Sequence, residues 1–591
     1  MQRLTIALIA ASALMASNSA YCAHALKTDE TFQRTDIQQA DTQGGDIQRA
    51  GAPPAKTLAL IDGPLIDSIE PIAAVLSGLL GAGLPQQNPF HALRQSYETR
   101  QFQPVWFSAG QGMERIEALR GKLRTAADEG LNPGRYALGH DHALNPRTPE
   151  ALAALELEAS LDFVRYIQDL QGTHPDSLAV RQRGMRRPEP TDPAVLLAGI
   201  AATADVTEHL ALLAPDNALY ASMREALVRY RALVKAGGWP LMPAGKSLEL
   251  GDLDERIPTL RERLFVTGDL LDAGLNSPHY DQPLYDAVID FQRRHGLAMD
   301  GIVGKRTQRA LRMSAEERVE QIVANMERAR WLPTDLGQRY VLVNVPGFAL
   351  EIIEDGELVM DMAIIVGRRV RKTPIFSGQL TWLEINPDWN VPESIARKDL
   401  FPRMLQDPYY MVDEGLRLFD KSTGEELSRE NIDWQSVAGH GGVLPFRMRQ
   451  DPGPANALGR VKFMFKNPFA VYLHDTPSRN LFNKPVRTFS SGCIRVAKPM
   501  AMAEYLLHGK DGWERSSIED AVNRGARTAV DLPQSVPVHL IYRTAWVGRD
   551  GRVQFRHDIY GRDAFIADKL LAKRATSSWD ESSSGALSSG A

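Results

Sequence analysis

The sequence has few cysteines, no excess of charge of one sign and no long apolar run beyond its first residues. It has 591 residues, of which two are cysteine, and a formal net charge of −5. A balance this close to neutral does not indicate a nucleic-acid-binding protein, and no acidic tract indicates a solvating tail. After the amino-terminal segment no stretch reaches about 18 consecutive apolar residues, so we expect no transmembrane span in the mature chain.

Sequence motifs for metals and nucleotides are also missing. The sequence contains no H-E-x-x-H and no paired Cys/His sites of the kind that hold zinc. It contains no Gly-rich phosphate loop and no dinucleotide fingerprint. We therefore expect no metal and no cofactor, and any chemistry must come from side chains.

The first 25 residues are predicted to be a secretory signal peptide. Arg3 precedes an apolar run from Leu4 to Ala16, and Ala-His-Ala at residues 23–25 fits a cleavage site of small residues. We expect cleavage near Ala20 or Ala25, and cleavage after Ala25 removes Cys22 and leaves Cys493 as the one thiol of an exported chain. Such a thiol is either buried and inert or kept for its reactivity, and its neighbours must decide.

Composition and periodicity divide the chain into segments. Apolar residues at helical spacing, such as Ile116, Leu119 and Leu123, predict a helical scaffold, whereas strand-like runs around the hairpin signal Asp355-Gly356 predict a later β domain. The predicted segments are a signal peptide 1–25, a flexible leader 26–85, a helical scaffold domain 86–246, a small helical unit 247–315, a catalytic domain 320–545 with an insertion at about 393–445, and a C-terminal extension 546–591 whose end is disordered.

The small unit 247–315 has a recognisable pattern. Phe291-Gln292, Gly296-Leu297, Asp300-Gly301, Gly304 and Thr307 follow one another at a spacing that closely resembles the helical peptidoglycan-binding module of many wall enzymes. The alternative interpretation is a plain small helical bundle.

The segment around Cys493 carries the candidate chemistry. Cys493 follows Ser490, Ser491 and Gly492, a turn of small residues in which glycine permits a tight bend and backbone N–H groups can point at one place, as an oxyanion hole requires. The thiolate is the nucleophilic form of cysteine, and a histidine within reach can take its proton. His474 lies at the end of a predicted strand; by itself it could equally be a surface or core residue.

His474, fifteen intervening residues and then Ser490-Ser491-Gly492-Cys493-Ile494-Arg495 resemble the signature of the YkuD-type L,D-transpeptidases. Ser491 stands where many members have histidine. The order of the segments, from signal peptide to catalytic domain with an insertion, resembles the large multidomain periplasmic YcbB-like branch of that family. The expected fold class is therefore α+β multidomain, with an all-β, sandwich-like catalytic domain.

The resemblance implies a function and a location. Cys493 is expected to attack the bond between meso-diaminopimelate and D-Ala in a peptidoglycan tetrapeptide stem, with His474 as base, and an amine of a second stem then gives a 3–3 cross-link. Water as acceptor makes the reaction a carboxypeptidation. The expected location is a Gram-negative periplasm, the expected class of drug is the carbapenems, and the expected partners are tetrapeptide stems and other wall-synthesis enzymes.

Two further residues are candidates for binding. Arg495 is a plausible clamp for a stem carboxylate, since its planar guanidinium matches that group, or else a structural ion pair under the turn. Tyr472 could donate to the oxyanion or simply pack on the core. Asp475 follows His474, but neighbouring side chains of a strand point to opposite faces, so a backbone carbonyl could orient the histidine instead.

Two other functions remain as alternatives. A zinc-dependent wall hydrolase would be sensitive to a chelator rather than to a thiol reagent. A non-catalytic wall-binding protein would keep its full effect on cross-link content after its cysteine is alkylated.

Overall fold

The computed structural model describes residues 70–571, apart from 82–85, 87–89, 108–111, 141–143, 145, 174–188, 216, 272–273, 334, 408 and 440–442. The predicted signal peptide and residues 26–69 of the predicted leader lie outside the described residues, as does the predicted disordered end at 572–591. The rest of the leader is not flexible throughout: Glu70–Leu79 form a helix that buries Ile72 and Leu76. These two residues are four apart and so share one helical face.

The helices are numbered in chain order. They are α1 Glu70–Leu79, α2 His91–Thr99, α3 Gly112–Arg124, α4 Pro149–Leu170, α5 Pro193–Ala202, α6 Val206–Leu212, α7 Ala218–Lys235, α8 Ile257–Val266, α9 Gln282–Arg294, α10 Lys305–Leu311, α11 Ala315–Arg330, α12 Glu393–Ile395, α13 Phe401–Gln406, α14 Tyr410–Asp413, α15 Trp434–Gly439, α16 Pro499–Leu507, α17 Arg515–Asn523 and α18 Asp563–Leu571. Among the residues described, none of these helices combines the length and the apolar character needed to cross a membrane.

The chain divides into two compact units. The first comprises Met1–Lys122, Tyr136–Val164 and Thr191–Leu210, and its described part is helical. Its core is organised around Glu156, which is fully buried and accepts hydrogen bonds from the Tyr97 hydroxyl at 2.7 Å and the Trp106 N–H at 3.0 Å. Burial raises the pKa of this carboxyl group, although the hydrogen bonds oppose the shift.

The second unit comprises Leu123–Arg135, Arg165–Pro190 and Ala211–Ala591 and contains the remaining elements. Helices α8, α9 and α10 form a small module whose core contains Leu260, Leu284 and Phe291. Gln292 holds its turn together, since the side chain accepts from the Gly301 N–H at 3.0 Å and donates to the Ile302 carbonyl at 3.0 Å.

The strands of the second unit begin after α11. They are β1 Arg339–Asn344, β2 Ala349–Glu354, β3 Glu357–Gly367, β4 Phe376–Ile385, β5 Trp389–Asn390, β6 Leu416–Asp420, β7 Glu426–Leu427, β8 Phe446–Gln450, β9 Val461–Phe465, β10 Leu473–His474, β11 Thr488–Ser490, β12 Ile494–Val496, β13 Thr528–Ile541, β14 Ala545–Val547 and β15 Val553–Phe555.

Nine strands form the main sheet, in the order β11-β3-β12-β10-β9-β4-β13-β1-β2. Strand β2 also pairs with β3, so the sheet closes on itself. Its core is apolar, with Val343, Leu380, Phe463 and Leu473 almost completely buried. The α+β architecture and the β-rich catalytic domain predicted from the sequence are confirmed.

The insertion is wider than the predicted 393–445. Its own four-stranded sheet, in the order β5-β8-β6-β7, runs from β5 at Trp389 to β8 at Gln450. In β8 the alternating residues Phe446 and Met448 are buried in the insertion's separate core, so this strand belongs to the insertion and not to the main sheet. We call residues 389–450 the inserted subdomain.

The predicted division between residues 545 and 546 also differs from the structure. It cuts the hairpin in which β14 pairs with β15. This hairpin lies against the small module, because the Arg294 guanidinium donates to the Val553 carbonyl at 3.3 Å and the rings of His295 and Phe555 stack at 5.6 Å. Both strands are only three residues long, which is too short for an alternating pattern to stand out in the sequence.

Candidate active site

The turn before Cys493 is bent at Gly492. Gly492 has a φ of 123°, a conformation that residues with a Cβ rarely adopt. The turn joins β11 to β12, and Cys493 is the residue immediately before β12. The thiol is half-buried, and its sulfur lies 3.9 Å from the Ala470 carbonyl oxygen. The bend therefore places the candidate nucleophile directly before β12, where its thiol remains partly exposed.

Ser490 stabilises this turn from inside. Its hydroxyl donates to the Cys493 carbonyl at 2.5 Å and accepts from the Gly492 N–H at 3.1 Å. The Gly492 N–H is therefore already engaged and is a poor candidate for an oxyanion donor. Within the described residues the N–H of Cys493 makes no hydrogen bond, so it remains available for that role.

Behind the turn a buried network fixes the Gly492 carbonyl. The Thr373 hydroxyl donates to that carbonyl at 2.9 Å and accepts from the Gly367 N–H at 2.9 Å. The Tyr560 hydroxyl donates to the Gly367 carbonyl at 2.7 Å and accepts from the Thr373 N–H at 3.2 Å. The sequence pattern does not reveal this support, because Tyr560 lies in the predicted C-terminal extension, outside the predicted catalytic domain.

The pairing of three strands brings polar side chains to one face of the sheet. His474 of β10 is the register partner of Arg495 on one side and of Lys462 on the other. The Ile494 N–H donates to the Tyr472 carbonyl at 3.1 Å, so Cys493, the residue before β12, lies beside Tyr472. Residues two apart on a strand share a face. Tyr472 and His474 therefore lie on one face of the sheet. Their neighbours at the adjacent strand β12, Cys493 and Arg495, lie on the same face.

His474 is held by a backbone carbonyl. Its Nδ1 lies 2.6 Å from the carbonyl oxygen of Asp475. A carbonyl can only accept, so Nδ1 carries the proton and Nε2 of the neutral ring keeps the lone pair that a base requires. The Asp475 carboxylate is engaged elsewhere, with Arg460 at 3.0 Å and Arg479 at 3.1 Å. The orienting group that the sequence left open is the Asp475 backbone.

Burial makes His474 a weakly basic residue. The ring is 4% exposed, and its burial lowers the pKa to about 3, with the positive charge of Arg495 acting in the same direction. His474 is therefore neutral at pH 7. No hydrogen bond joins its ring to the Cys493 sulfur within the part of the chain described; such contacts often tighten only when substrate binds.

Cys493 is also predominantly neutral at pH 7. Burial raises the pKa of its thiol, while hydrogen bonds from the N–H and hydroxyl of Tyr472 and the charges of Lys462 and Arg495 favour the thiolate. Lys462 lies over the Tyr472 ring, with Nζ 4.3 Å from the ring centroid. Tyr472 therefore interacts with the sulfur rather than only packing on the core.

Arg495 has no counter-ion in the described structure. Lys462, its neighbour across β10, is paired with Glu384 at 3.6 Å, but no carboxylate lies within ion-pair distance of Arg495 among the described residues. Its Nε is buried and has no hydrogen-bond partner. The structural ion pair offered above as an alternative is therefore absent from the described structure, and an unpaired guanidinium faces the site.

Ser491 lies at the centre of a contact that the sequence did not predict. Its hydroxyl accepts from Arg368 at 3.1 Å and from Arg371 at 2.8 Å, and both arginines also pair with Asp399 of the inserted subdomain. A signal was present, since residues 368–372 contain four basic residues directly after the strand-like run at 358–366. It did not reveal their partner, which lies 28 residues from Arg371.

No group of three or more His, Cys, Asp or Glu side chains is placed to hold a metal ion in the region that the structure covers. The described site thus consists of a thiol, a neutral imidazole, a phenol, free backbone N–H and several guanidinium groups. This set can form and break an acyl bond and can bind carboxylates.

Three family models match the chain. Residues 338–518 match the L,D-transpeptidase catalytic domain of the YkuD type, residues 91–227 match a Scaffold domain, and residues 256–311 match a domain described as "Putative peptidoglycan binding domain". The catalytic match runs from the residue before β1 into α17 and includes Cys493 and His474, whereas β13 of the main sheet lies beyond it. The domain order agrees with the multidomain branch that the sequence resembles.

The chain is also similar to individual proteins. It is 35% identical over 254 residues to a Haemophilus influenzae protein named "Putative L,D-transpeptidase", a match that covers 43% of this chain and 50% of that protein. The chain thus spans about half of the length of this relative.

Two solved structures of L,D-transpeptidases also match. The one from Xylanimonas cellulosilytica has 18% identity and a TM-score of 0.17 over 51% of this chain and 99% of that one. The one from Stackebrandtia nassauensis has 12% identity and a TM-score of 0.19 over 51% of this chain and 96% of that one. With a scaffold domain and a peptidoglycan-binding domain before it, residues 338–518 of the chain form a YkuD-type L,D-transpeptidase catalytic domain.

Proposed function

We propose that the protein is a cysteine-dependent L,D-transpeptidase that forms 3–3 cross-links between meso-diaminopimelate residues of peptidoglycan. The observation that carries the proposal is the shared sheet face on which Cys493 meets Tyr472, His474 and Arg495 within the YkuD domain. Each of these groups has a task in acyl transfer.

Acylation begins with Cys493 and His474 both uncharged. The Cys493 sulfur attacks the carbonyl carbon between diaminopimelate and the terminal D-Ala while its proton passes to His474 Nε2. The oxyanion that develops is stabilised by the free N–H of Cys493 and by the Tyr472 hydroxyl. Collapse of the intermediate breaks the C–N bond, His474 returns the proton to the leaving amine, and D-Ala departs. A thioester on Cys493 remains.

Deacylation reverses the roles. The side-chain amine of a second diaminopimelate attacks the thioester carbon and gives up a proton to His474. The new C–N bond forms, the C–S bond breaks, and the thiolate takes the proton back. Water in place of the amine yields a tripeptide, and the enzyme is then an L,D-carboxypeptidase. This second activity uses the same thioester and differs only in the acceptor.

Arg495 and the small module serve substrate binding in this proposal. The unpaired guanidinium of Arg495 suits a stem carboxylate, which would also relieve its unbalanced charge. The module at residues 256–311 brings the enzyme to the wall and so raises the local concentration of stems. The place of action is the periplasm, after export through the amino-terminal signal. A carbapenem is expected to acylate Cys493 through the same steps.

The experiment is to incubate the mature protein with disaccharide-tetrapeptide and to determine the masses of the products. Free D-Ala together with a dimer supports transpeptidation, whereas D-Ala with tripeptide alone supports carboxypeptidation. Cys493→Ala should abolish D-Ala release, and His474→Ala should lower it by about 100-fold or more. Substantial release by Cys493→Ala protein of native stability would contradict the proposal.

A further inference from the structure

Two arginines of the β3–β4 loop converge on the catalytic turn. The Arg368 N–H donates to the Ser490 carbonyl at 2.9 Å, and the Arg371 N–H donates to the Arg368 carbonyl at 2.8 Å, so the loop backbone is fixed beside the turn. Both guanidinium groups donate to the hydroxyl of Ser491, two residues before Cys493. They therefore lie next to the nucleophile and not on a remote surface.

The carboxylate that these arginines hold comes from another part of the chain. Asp399 lies in the π-helical turn Ala396–Leu400 of the inserted subdomain. Its Oδ2 is 3.1 Å from Arg368 Nη2, its Oδ1 is 3.3 Å from Arg371 Nη2, and a second, shorter contact joins Oδ2 to Arg371 Nη1. The carboxylate thus sits in a forked donor site of the kind that arginine presents to carboxylate ligands.

The charges of this region do not balance without a further anion. Arg368, Arg371 and Arg495 bring three positive charges to the turn, and Asp399 supplies one negative charge. The Arg368 Nε and Arg495 Nε are both buried and without a hydrogen-bond partner in the described structure. The guanidinium groups are already oriented to donate to a carboxylate. If a substrate carboxylate displaces that of Asp399, one ion pair replaces another.

We propose that Arg368 and Arg371 form the binding site for the terminal D-Ala carboxylate of the donor stem, and that Asp399 occupies this site until substrate displaces it. The inference rests on the proposed function. The terminal carboxylate carbon is three bonds from the carbonyl carbon that Cys493 attacks. This short separation matches a site at Ser491, which only Gly492 separates from Cys493. Departure of D-Ala after acylation empties the site again, and Asp399 returns.

Equilibrium binding tests this without catalysis. In a Cys493→Ala background, the dissociation constant of disaccharide-tetrapeptide is measured for variants of the site. Arg371→Gln should weaken binding by about tenfold or more, because it removes one arm of the fork. Asp399→Asn should strengthen binding by roughly three- to tenfold, because the competing charge is gone. Weaker binding in Asp399→Asn would overturn the proposal, since Asp399 would then order the arginines instead of competing for them.

A modified ligand separates recognition from structure. A tetrapeptide whose terminal D-Ala carboxylate is amidated should bind the parent protein about as weakly as the unmodified tetrapeptide binds Arg371→Gln, and the two losses should not add. If amidation weakens binding by the same factor in the parent protein and in Arg371→Gln, the arginines do not bind that carboxylate. Glu393→Gln is the matched control, because Glu393 pairs with Lys421 at 2.5 Å within the same subdomain and does not touch the turn.

Different results would contradict the carboxylate site and the transpeptidase function. Release of D-Ala by the unmodified enzyme together with unchanged binding by Arg371→Gln would overturn this site and leave the transpeptidase function intact. Binding that follows the expected order without any D-Ala release would remove the proposed function and keep the carboxylate site. With active variants, Arg371→Gln should change KM far more than kcat.

Discussion

The protonation states of Cys493 and His474 define how the site reacts. Burial lowers the pKa of His474 to about 3 and raises that of Cys493, so thiol and neutral imidazole coexist at neutral pH. The site thus differs from one that rests as a thiolate–imidazolium pair. In the proposed mechanism the proton moves during attack, and the weak basicity of His474 favours its prompt return to the leaving amine.

This arrangement predicts an unusual pH profile. Protonation of the base at an ordinary histidine pKa of 6.5 would cut the rate below that pH, but a pKa near 3 moves the loss to much lower pH. We expect kcat/KM on a soluble tetrapeptide to stay within about threefold between about pH 5 and about pH 8. Initial rates across that range provide the test. An acid limb centred near pH 6.5 would show that His474 is far more basic than its burial implies.

The two serines before Gly492 are predicted to differ in importance. Ser490 makes both hydrogen bonds that close the turn, whereas Ser491 offers its hydroxyl only to Arg368 and Arg371. Ser490→Ala should therefore cost about 100-fold in kcat/KM by misdirecting Cys493, and Ser491→Ala less than about tenfold. A loss of about 100-fold in Ser491→Ala, measured at the same folded fraction as the parent, would show that the hydroxyl of Ser491 has a direct role.

At the same scale, sequence and structure agree where the information is local. Ser490, Gly492 and Cys493 lie within four consecutive residues, so the bend before the thiol could be predicted from the residue types alone. The pairing of Arg371 with Asp399, or of His474 with Lys462, depends on tertiary contacts and strand register, which the sequence pattern does not encode. The roles assigned to Tyr472, Arg495 and the other site residues stay predictions.

Among the elements, the small module is tied to the carboxyl-terminal hairpin β14–β15. Arg294 ends α9, forms an ion pair with Asp269 and also donates to the Val553 carbonyl; the side chains of Arg294 and Asp269 are 4% and 0% exposed. The guanidinium of Arg556 in turn donates to the Arg294 carbonyl at 2.9 Å. The module thus shares buried polar contacts with a segment some 260 residues later in the chain.

Breaking this buried pair should destabilise the protein. Arg294→Met leaves the Asp269 carboxylate buried without its main partner, and such losses typically cost about 3–5 kcal/mol. Unfolding in urea, followed by intrinsic fluorescence, measures the change. Arg293→Met provides the control, since Arg293 is exposed and pairs with Asp290 at the surface. A loss in Arg294→Met no larger than in the control would mean that the module is held mainly by its apolar core.

Element boundaries are where sequence reasoning was least successful. The structural limits of the inserted subdomain and of the last hairpin differ by a few residues from the approximate predicted ones, because β5, β14 and β15 have only two or three residues each. By contrast, α9 was predictable, since Leu284, Val288 and Phe291 repeat at helical spacing and all are buried. The extent of the scaffold and the leader before residue 70 stay predictions.

For the molecule as a whole, the domain order indicates that the small module attaches the enzyme to the wall and that a separate domain carries out catalysis. A cavity of about 570 Å³ lies where the small module meets the main sheet and the segment after β15. Its lining includes Leu297 and Met313 of the module, Phe348 after β1, and the exposed cations Arg306 and Arg309 of α10. The module therefore presents basic side chains close to its contact with the catalytic domain.

These cations give a test that does not require the module to be cut out. Excision would expose the buried surface that packs on β14–β15, and any loss of activity would then mix wall binding with misfolding. Replacing both Arg306 and Arg309 by Gln removes two exposed charges and leaves the core untouched. We expect sedimentation with purified sacculi to weaken by about three- to tenfold, because each exposed charge contributes up to about 1 kcal/mol.

The same variant should separate the two substrates. Its D-Ala release from intact sacculi should fall by about the factor lost in sedimentation, whereas its release from soluble disaccharide-tetrapeptide should not change, since the module supplies local concentration and no chemistry. The ratio of the two rates is the quantity to measure, because it cancels any difference in the amount of active enzyme. Arg549→Gln, an exposed cation in the turn between β14 and β15, controls for a general loss of positive charge. A ratio equal to that of the unmodified protein would mean that the module serves the architecture and does not bring the enzyme to the wall.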